Sequence, residues 1–203
     1  MPETPAIASP LQNDLVLSDR LFDRVFPFSQ RLRSHVHWTP VEIAKRACSL
    51  LSGGASRRVL DVGAGVGKLC LVGALTTPCA WTGIESDERM VDAARRAAAA
   101  LGVESRVTFV HGDATAHDWS EFEAIYLFNP FAEILTDSRL DPMMRRDVYV
   151  ETVARAQSRL VETRPGTRVV TYHGFGGEMP TGLALLERHP AELDELCLWV
   201  REG

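Results

Sequence analysis

Between residues 57 and 173, five short runs of strand-forming residues alternate with stretches of helical character. The runs are RRVLDV, AWTGIE, RVTFVH, AIYLFN and RVVTYH, and most of them are nearly continuous in apolar residues. Continuous apolar character is typical of parallel strands covered on both faces, whereas half-exposed strands alternate. Parallel neighbours need crossover connections, so the pattern predicts a doubly wound α/β fold with a mostly parallel sheet.

The helical stretches carry recognisable start and stop signals. Ser86 is predicted to cap a helix whose apolar face repeats at helical spacing and which ends at Gly102. Asp141, followed by a proline, predicts the start of a second helix. Residues 39–42, TPVE, have the form of a capping box, so we expect Thr39 to cap a helix ahead of the first strand.

The two ends of the chain complete the expected architecture. A chain of 203 residues with 45% hydrophobic content is long enough for one buried core, so we expect a single domain. Within it, residues 1–55 are predicted to form a helical N-terminal cap over one end of the sheet, and residues 56–203 the core. For the last thirty residues we predict a short helix near 183–188, then a strand, LCLWVRE, running antiparallel at or near the sheet edge.

Composition narrows the class of protein. The apolar runs are shorter than the roughly 20 residues of a membrane span, and the first residues lack the features of a secretion signal, so a cytoplasmic location is expected. The four cysteines form no CxxC pair and are predicted to be buried free thiols: Cys48, Cys70, Cys79 and Cys197. A net charge of −5 disfavours non-specific binding to nucleic acid, which depends on a basic surface.

The stretch VLDVGAGVGKL places glycines at 63, 65 and 67, directly after the first predicted strand. Glycine is needed where the backbone turns sharply or approaches another molecule closely. A triphosphate-binding P-loop requires Ser or Thr after its lysine, but Leu69 follows Lys68. The dinucleotide fingerprint requires glycine at position 68. Lys68 therefore disfavours a nicotinamide-dependent oxidoreductase, which stays as a weaker alternative.

With Asp61 in front of the glycines, DVGAGVG resembles the first motif of class I S-adenosylmethionine-dependent methyltransferases. The resemblance covers residues 59–172 and implies their Rossmann-like fold and S-adenosyl-L-methionine (SAM) as cofactor. It further implies that Glu85, at the end of the second strand, binds the ribose hydroxyls and that Asp113, after the third, contacts the adenine amino group. The full set of cofactor-binding residues implied is Thr39, Asp61, Gly63, Ala64, Gly65, Gly67, Glu85, Ser86, Asp113, Ala114 and Asn129.

After the fourth strand, YLFNPFAE resembles a shortened form of the Asn/Asp-Pro-Pro-Tyr/Phe motif of methyltransferases that act on amino groups. The resemblance implies that the Asn129 side chain and the Pro130 carbonyl accept hydrogen bonds from the target amine, while Phe131 stacks on its plane. One proline of the motif is missing. The alternative is that Asn-Pro simply ends the strand and Phe131 packs in the core.

Two further segments are candidates for closing the site. Trp38 and Thr39 occupy a region that in related families passes over the methionine end of the cofactor, with a plain helix cap and a core tryptophan as the alternative. His173, next to the glycine-rich loop GFGG, is a candidate general base, and the loop is suited to a lid. A histidine with a purely structural role at the strand end is the alternative there.

Together these observations predict a methyltransferase that transfers the methyl group directly, by an SN2 reaction, to an unidentified acceptor. An amino group of a base, a protein side chain and a small molecule remain open, and so does the oligomeric state. No metal is needed, and the only close histidine pair is His35 and His37. A rival from another class is a non-catalytic SAM-binding sensor or partner subunit.

An arginine-rich stretch bears on the acceptor. It offers a basic rim to RNA or to an acidic peptide, but two aspartates interrupt it and a solvated helix face is the favoured explanation; its arginines are Arg20, Arg24, Arg31 and Arg33. The chain as a whole also resembles a group of small bacterial methyltransferase-like proteins. Its segment GVGKLCL resembles the glycine-loop helix of the non-SET histone-lysine methyltransferases.

Overall fold

A computed structural model describes residues 4–13, 15–31, 38–55, 57–191 and 194–203. Its centre is a seven-stranded sheet in the order β3-β2-β1-β4-β5-β7-β6. The strands are β1 (Arg58–Val62), β2 (Ala80–Glu85), β3 (Val107–His111), β4 (Ala124–Phe128), β5 (Arg168–Tyr172), β6 (Leu183–Ala191) and β7 (Asp194–Arg201). Strands β1 to β5 pair in parallel, and β7 runs antiparallel to both β5 and β6.

The five parallel strands confirm the five apolar runs, and the doubly wound α/β fold is correct. Strand order reverses between β1 and β4, which are hydrogen-bonded neighbours although two strands separate them in the chain. In open α/β sheets, ligands bind in the crevice at such a switch point, outside the carboxyl ends of the strands. The topology therefore points to the edge where β1 and β4 end.

Helices cover both faces of the sheet. They are α1 (Thr4–Gln12), α2 (Asp19–Phe22), α3 (Phe28–Arg31), α4 (Val41–Leu51), α5 (Lys68–Thr76), α6 (Glu88–Leu101) and α7 (Pro142–Val161). Four short 3₁₀ helices lie at Asp23–Val25, Ala114–Ala116, Trp119–Glu121 and Ala132–Thr136. Successive residues of β1 point to opposite faces, so Val59 packs in one apolar core with α1, α4, α5 and α6, and Leu60 packs in another with α7.

Helix ends follow the sequence signals in two cases and depart from them by one residue in a third. Gly102 ends α6 with a left-handed φ of 68°, and Asp141 caps α7 by accepting bonds from the first backbone N–H groups. The prediction that Ser86 caps α6 is wrong, because the Asp87 carboxylate accepts from Arg89 N at 2.8 Å. The Ser86 hydroxyl instead donates to Glu85 Oε1 at 3.1 Å.

The capping box at 39–42 does not form. Helix α4 begins at Val41, whose backbone N–H donates to Asp19 Oδ1 at 2.9 Å, from a residue 22 positions earlier in the chain. Thr39 turns its hydroxyl to the Tyr126 hydroxyl of β4 at 2.9 Å. A buried hydroxyl needs a partner, and the nearest one for Thr39 lies on the sheet rather than on its own helix.

The C-terminal prediction is wrong in one element and correct in the other. Residues 183–188 lie in β6 and not in a helix, because β6 pairs along its length with β7. The local sequence LALLER favours a helix, and the pairing overrides that preference. Strand β7 runs antiparallel one position in from the edge, as expected. All four cysteines are buried and free.

Helices α1 to α4 supply the helical character that was expected ahead of β1. The boundary at residue 55 and the count of one domain stay predictions. Across the described ranges, no helix combines the length and the hydropathy that crossing a bilayer requires.

Candidate cofactor and acceptor site

A cavity of about 340 Å³ opens at the carboxyl edge of the sheet, at the switch point. Nine of the predicted residues line it: Gly63, Gly65, Glu85, Ser86, Asp113, Ala114, Asn129, Pro130 and Phe131. A smaller cavity of about 40 Å³ shares Gly63 and Gly65 with it, and its walls add the predicted residues Thr39, Asp61 and Ala64. Gly67 and His173 line neither cavity.

The three glycines of the loop all have a left-handed φ, but for different reasons. A β-carbon on Gly63 (φ +71°) would lie 2.8 Å from Pro130 Cβ, so this glycine allows the β4 loop to approach. A β-carbon on Gly65 (φ +56°) would have only Met90 Sδ within reach, at 4.0 Å, so bare backbone faces open space. At Gly67 a β-carbon would overlap the Phe109 ring, so this glycine serves internal packing.

Glu85, at the end of β2, is a carboxylate in a fixed orientation. Its Oε2 accepts from Gly65 N at 2.9 Å, and its Oε1 accepts from Asp87 N at 2.9 Å as well as from Ser86 Oγ. The side chain therefore ties the glycine loop to β2. It is nearly buried and still lines the large cavity.

Asp113 follows β3 and begins a 3₁₀ helix. Its Oδ1 accepts from both the backbone N–H and the hydroxyl of Thr115, each at 2.8 Å. Its Oδ2 lies 3.6 Å from Arg155 Nη2 of α7, and the side chain is half exposed to the cavity. Arg155 also donates to Thr115 Oγ1 at 3.1 Å, so α7 holds the Asp113 turn in place.

Asp61 is buried beneath the glycine loop and lines the small cavity. Burial raises the pKa of its carboxyl group from 3.8 to about 7; the hydrogen bond from the Cys70 thiol opposes this shift, and the charge of Glu85 adds to it. The Cys70 Sγ to Asp61 Oδ2 distance is 3.5 Å. Asp61 is thus a carboxyl group whose charge changes near neutral pH.

Asn129 occupies the turn after β4 with a φ of +40°, which is rare for a residue other than glycine. Its backbone N–H donates to Gly174 O at 2.9 Å, which holds the turn against the loop after β5. Its side chain is exposed at the large cavity. Strained positions of this kind are enriched at functional sites.

Phe131 is 7% exposed and packs in the apolar core on the α7 side, while its edge lines the large cavity. This is the packing that the alternative interpretation expected. Pro130, between Asn129 and Phe131, lies against Gly63. The NPF turn therefore packs against the glycine loop, and the stacking role of Phe131 stays a prediction.

His173 lies beside the sheet edge but not at the cavity. Its Nδ1 is 2.6 Å from Asp194 Oδ2, and its ring contacts those of Tyr172 and Phe128. The following loop is anchored, because Phe175 is buried in the core. The general-base role of His173 and the lid role of the loop stay predictions, and neither enters the proposal below.

One comparison with known protein families concerns the middle of the chain. Residues 59–150 match a family profile described as "Methyltransferase domain". The glycine loop and strands β2 to β4 lie within the matched residues, whereas β5, β6 and β7 follow them in the chain. The matched part of the chain is therefore similar to methyltransferase domains.

Several solved structures share the fold of this chain. An RNA methyltransferase from Salinibacter ruber, in complex with S-adenosyl-L-homocysteine, has 24% identity and a TM-score of 0.60 over 81% of this chain and 94% of that one. TrmN from Thermus thermophilus has 19% identity and a TM-score of 0.65 over 89% of this chain and 53% of that one. An O-methyltransferase from Bacillus cereus, in complex with SAH, has 14% identity and a TM-score of 0.62 over 97% of each chain. A search of curated proteins finds no match.

The charges around the two cavities fit a nucleoside without phosphates. Two cations line the cavities within the described ranges, Lys68 and Arg155, and both are bound to carboxylates. A phosphate would therefore meet Glu85 and Asp113 without a free cation on the walls. The bare backbone at Gly65 leaves the space that a bound nucleoside needs. SAM, which carries a cationic sulfonium and no phosphate, fits this set of residues.

Several residues that line the large cavity were missed by sequence reasoning. They are Gln30, Ile84, Met90, Phe128, Ala132, Glu133, Ile134, Thr152 and Arg155. Most carry no motif, and they reach the cavity only because their elements pack there. Trp38, which was predicted to lie over the methionine end of the cofactor, lines both cavities.

Two other predictions concern the first forty residues. In the arginine-rich stretch, Arg20 and Arg24 are exposed, Arg31 is half-buried with its guanidinium over the Phe28 ring, and Arg33 lies outside the described residues. His35 and His37 also lie outside them. In the part of the chain that is described, no group of three or more His, Cys, Asp or Glu side chains could hold a metal ion.

Proposed function

We propose that this protein binds SAM in the cavity at the end of β1, β2 and β4 and transfers its methyl group directly to an acceptor at the Asn129 wall. The observation that carries the proposal is the convergence of Glu85, Asp113 and the bare backbone at Gly65 on one cavity. Bound SAM supplies a methyl group already activated by the sulfonium, so the chain's task is to bind, orient and exclude water.

The cofactor-binding roles follow the positions of the side chains. Glu85 is held by three donors from the chain and presents its remaining lone pairs to the ribose hydroxyls. Asp113, with Ala114 beside it, receives the adenine. The backbone at Gly63 to Gly65 and the carboxyl group of Asp61 receive the methionine portion, in the small cavity.

The acceptor side is formed by side chains on the other wall of the large cavity. Trp38 and Phe128 offer apolar ring surface, and Asn129 and Glu133 offer polar groups. Within the described ranges, neither the Asn129 amide nor the Glu133 carboxylate has a hydrogen-bond partner, so both are free to bind an acceptor. The side-chain carbonyl of Asn129 would accept a hydrogen bond from the amino group of the acceptor. This bond would orient the lone pair of the amino nitrogen toward the methyl group. The proton lost by the amine passes to Glu133 or to water.

Isothermal titration with SAM and with S-adenosyl-L-homocysteine tests the cofactor site. We expect binding by the wild type and affinity lower by about tenfold or more in Glu85→Gln, because a charged acceptor of ribose hydrogen bonds is lost. Glu104→Ala, an exposed carboxylate in the turn before β3, is the control and should bind as the wild type does. Absence of binding by the wild type would remove the proposal.

Transfer is tested separately from binding. The protein is incubated with SAM that carries a tritiated methyl group and with fractionated cell extract. Treatment of the extract with ribonuclease or protease, or its dialysis, identifies whether the acceptor is RNA, protein or a small molecule. We expect label to move to one fraction with the wild type and not with Asn129→Ala, which should still bind SAM. Binding without transfer to any fraction would favour the non-catalytic SAM-binding module instead.

A further inference from the structure

Lys68 is a buried cation at the start of α5, directly after the glycine loop. Its side chain is only 5% exposed. An ammonium group removed from water is costly unless carboxylates and hydrogen bonds replace the water. The chain contains one other lysine, Lys45, whose side chain is 15% exposed and pairs with an exposed glutamate.

The partners of Lys68 come from the segment that precedes the sheet. Its Nζ lies 2.5 Å from Asp19 Oδ1 and 2.7 Å from Asp23 Oδ1. The same nitrogen is 5.7 Å from the centroid of the Phe22 ring and 5.8 Å from that of Trp38, within the range of cation–π attraction. One ammonium therefore holds two carboxylates and two aromatic rings.

Asp19 extends this arrangement to α4. The oxygen that binds Lys68 also accepts from the backbone N–H of Val41, the first residue of that helix. Thr39, two residues earlier, is bound to Tyr126 of β4. The described residues 38–41 are thus bound to the sheet through Thr39 and to Lys68 through Asp19.

These contacts form a wall of the site. Trp38 lines both cavities, Lys68 and Thr39 line the small cavity, and Gln30 lines the large one. Both carboxylate oxygens lie within 2.7 Å of the same nitrogen, so removal of the ammonium would leave two adjacent negative charges without their shared cation. The attraction that holds α2 and the Asp23–Val25 turn against the glycine loop would be lost, and Trp38 would be released with them.

We infer that Lys68 is a positioning residue that holds α2 and Trp38 across the methionine end of the cofactor site and so slows the dissociation of SAM. The inference rests on the proposed function, because it concerns the cavity where SAM is placed. Lys68 acts through Asp19, Asp23 and Trp38 and not by contact with the reacting atoms.

Lys68→Met, which keeps the length of the side chain and removes its charge, is the direct test. Dissociation of tritiated SAM is followed after an unlabelled chase, and amide hydrogen exchange of residues 15–31 is measured in the cofactor-free protein. We expect dissociation about tenfold faster, with faster exchange in residues 15–31. Lys68→Arg, which keeps the charge, should recover most of the slow dissociation.

Lys45→Met is the matched control, since Lys45 on α4 pairs with the exposed Glu42 at 3.7 Å and lines neither cavity. It should dissociate SAM at the wild-type rate. If Lys68→Met does not fold, Asp23→Asn carries the test, because it removes one of the two carboxylates and keeps the cation. Wild-type dissociation and exchange in a folded Lys68→Met or Asp23→Asn, even with a lower melting temperature, would overturn the inference. A wild type that retains no SAM would instead contradict the proposed function.

Discussion

Replacement of Asp61 by asparagine should stabilise this protein, and more so at high pH. The carboxyl group of Asp61 is fully buried below the glycine loop, and burial raises its pKa from 3.8 to about 7. Asparagine has nearly the same shape and no charge. The substitution therefore removes the cost of ionising a buried carboxyl group and little else.

The magnitude follows from the pKa shift, at about 1.4 kcal/mol for each pH unit. The folded state holds the Asp61 proton more tightly than the unfolded state, so the contribution of this group to stability is intact below pH 3.8 and is lost as the pH rises to about 7. The loss is about 2 kcal/mol at pH 5 and about 4 kcal/mol at pH 8. Asp61→Asn should therefore gain about 2 to 3 kcal/mol more over the wild type at pH 8 than at pH 5.

Urea unfolding of both proteins at pH 5 and pH 8 measures this difference. Any constant effect of the amide, such as a changed bond to Cys70, cancels between the two pH values. Asp92→Asn, an exposed carboxylate on α6, controls for the loss of one negative charge at the surface. An equal free-energy difference between wild type and Asp61→Asn at pH 5 and pH 8 would refute the reasoning.

Two further predictions concern the glycine loop and a helix cap. Gly65→Ala should abolish SAM binding in a calorimetric titration with a modest loss of stability, because the added methyl group enters open space. Gly63→Ala should also lower the melting temperature, because its β-carbon would lie 2.8 Å from Pro130 Cβ. Asp87→Ala should lower the free energy of unfolding by about 1 kcal/mol through loss of the α6 cap, and Ser86→Ala by less, as measured by urea unfolding. Equal losses for the two cap variants would contradict the assignment of Asp87.

The features that could be predicted from the sequence are those determined by short, contiguous stretches of the chain. Strands β1 to β5 could be predicted because short, nearly continuous apolar runs are typical of buried parallel strands. The end of α6 at Gly102 could be predicted because glycine adopts the left-handed conformation easily. The edge at which the large cavity lies followed as well, since parallel strands bring Glu85 and Asp113 to the same edge of the sheet.

The rest depended on partners distant in the chain. Residues 183–188 have helical propensity and became a strand because β7 supplied hydrogen-bond partners. Thr39 looked like a cap and became a partner of Tyr126, while Asp19 capped α4 from 22 residues away. In the sequence, Lys68 is informative only because it departs from known glycine-loop motifs. Its contacts with Asp19 and Asp23, which join the first helices to the glycine loop, form only when the chain folds. Local conformational preference is encoded residue by residue, whereas the partner of a buried polar or charged group is settled by whichever element packs beside it.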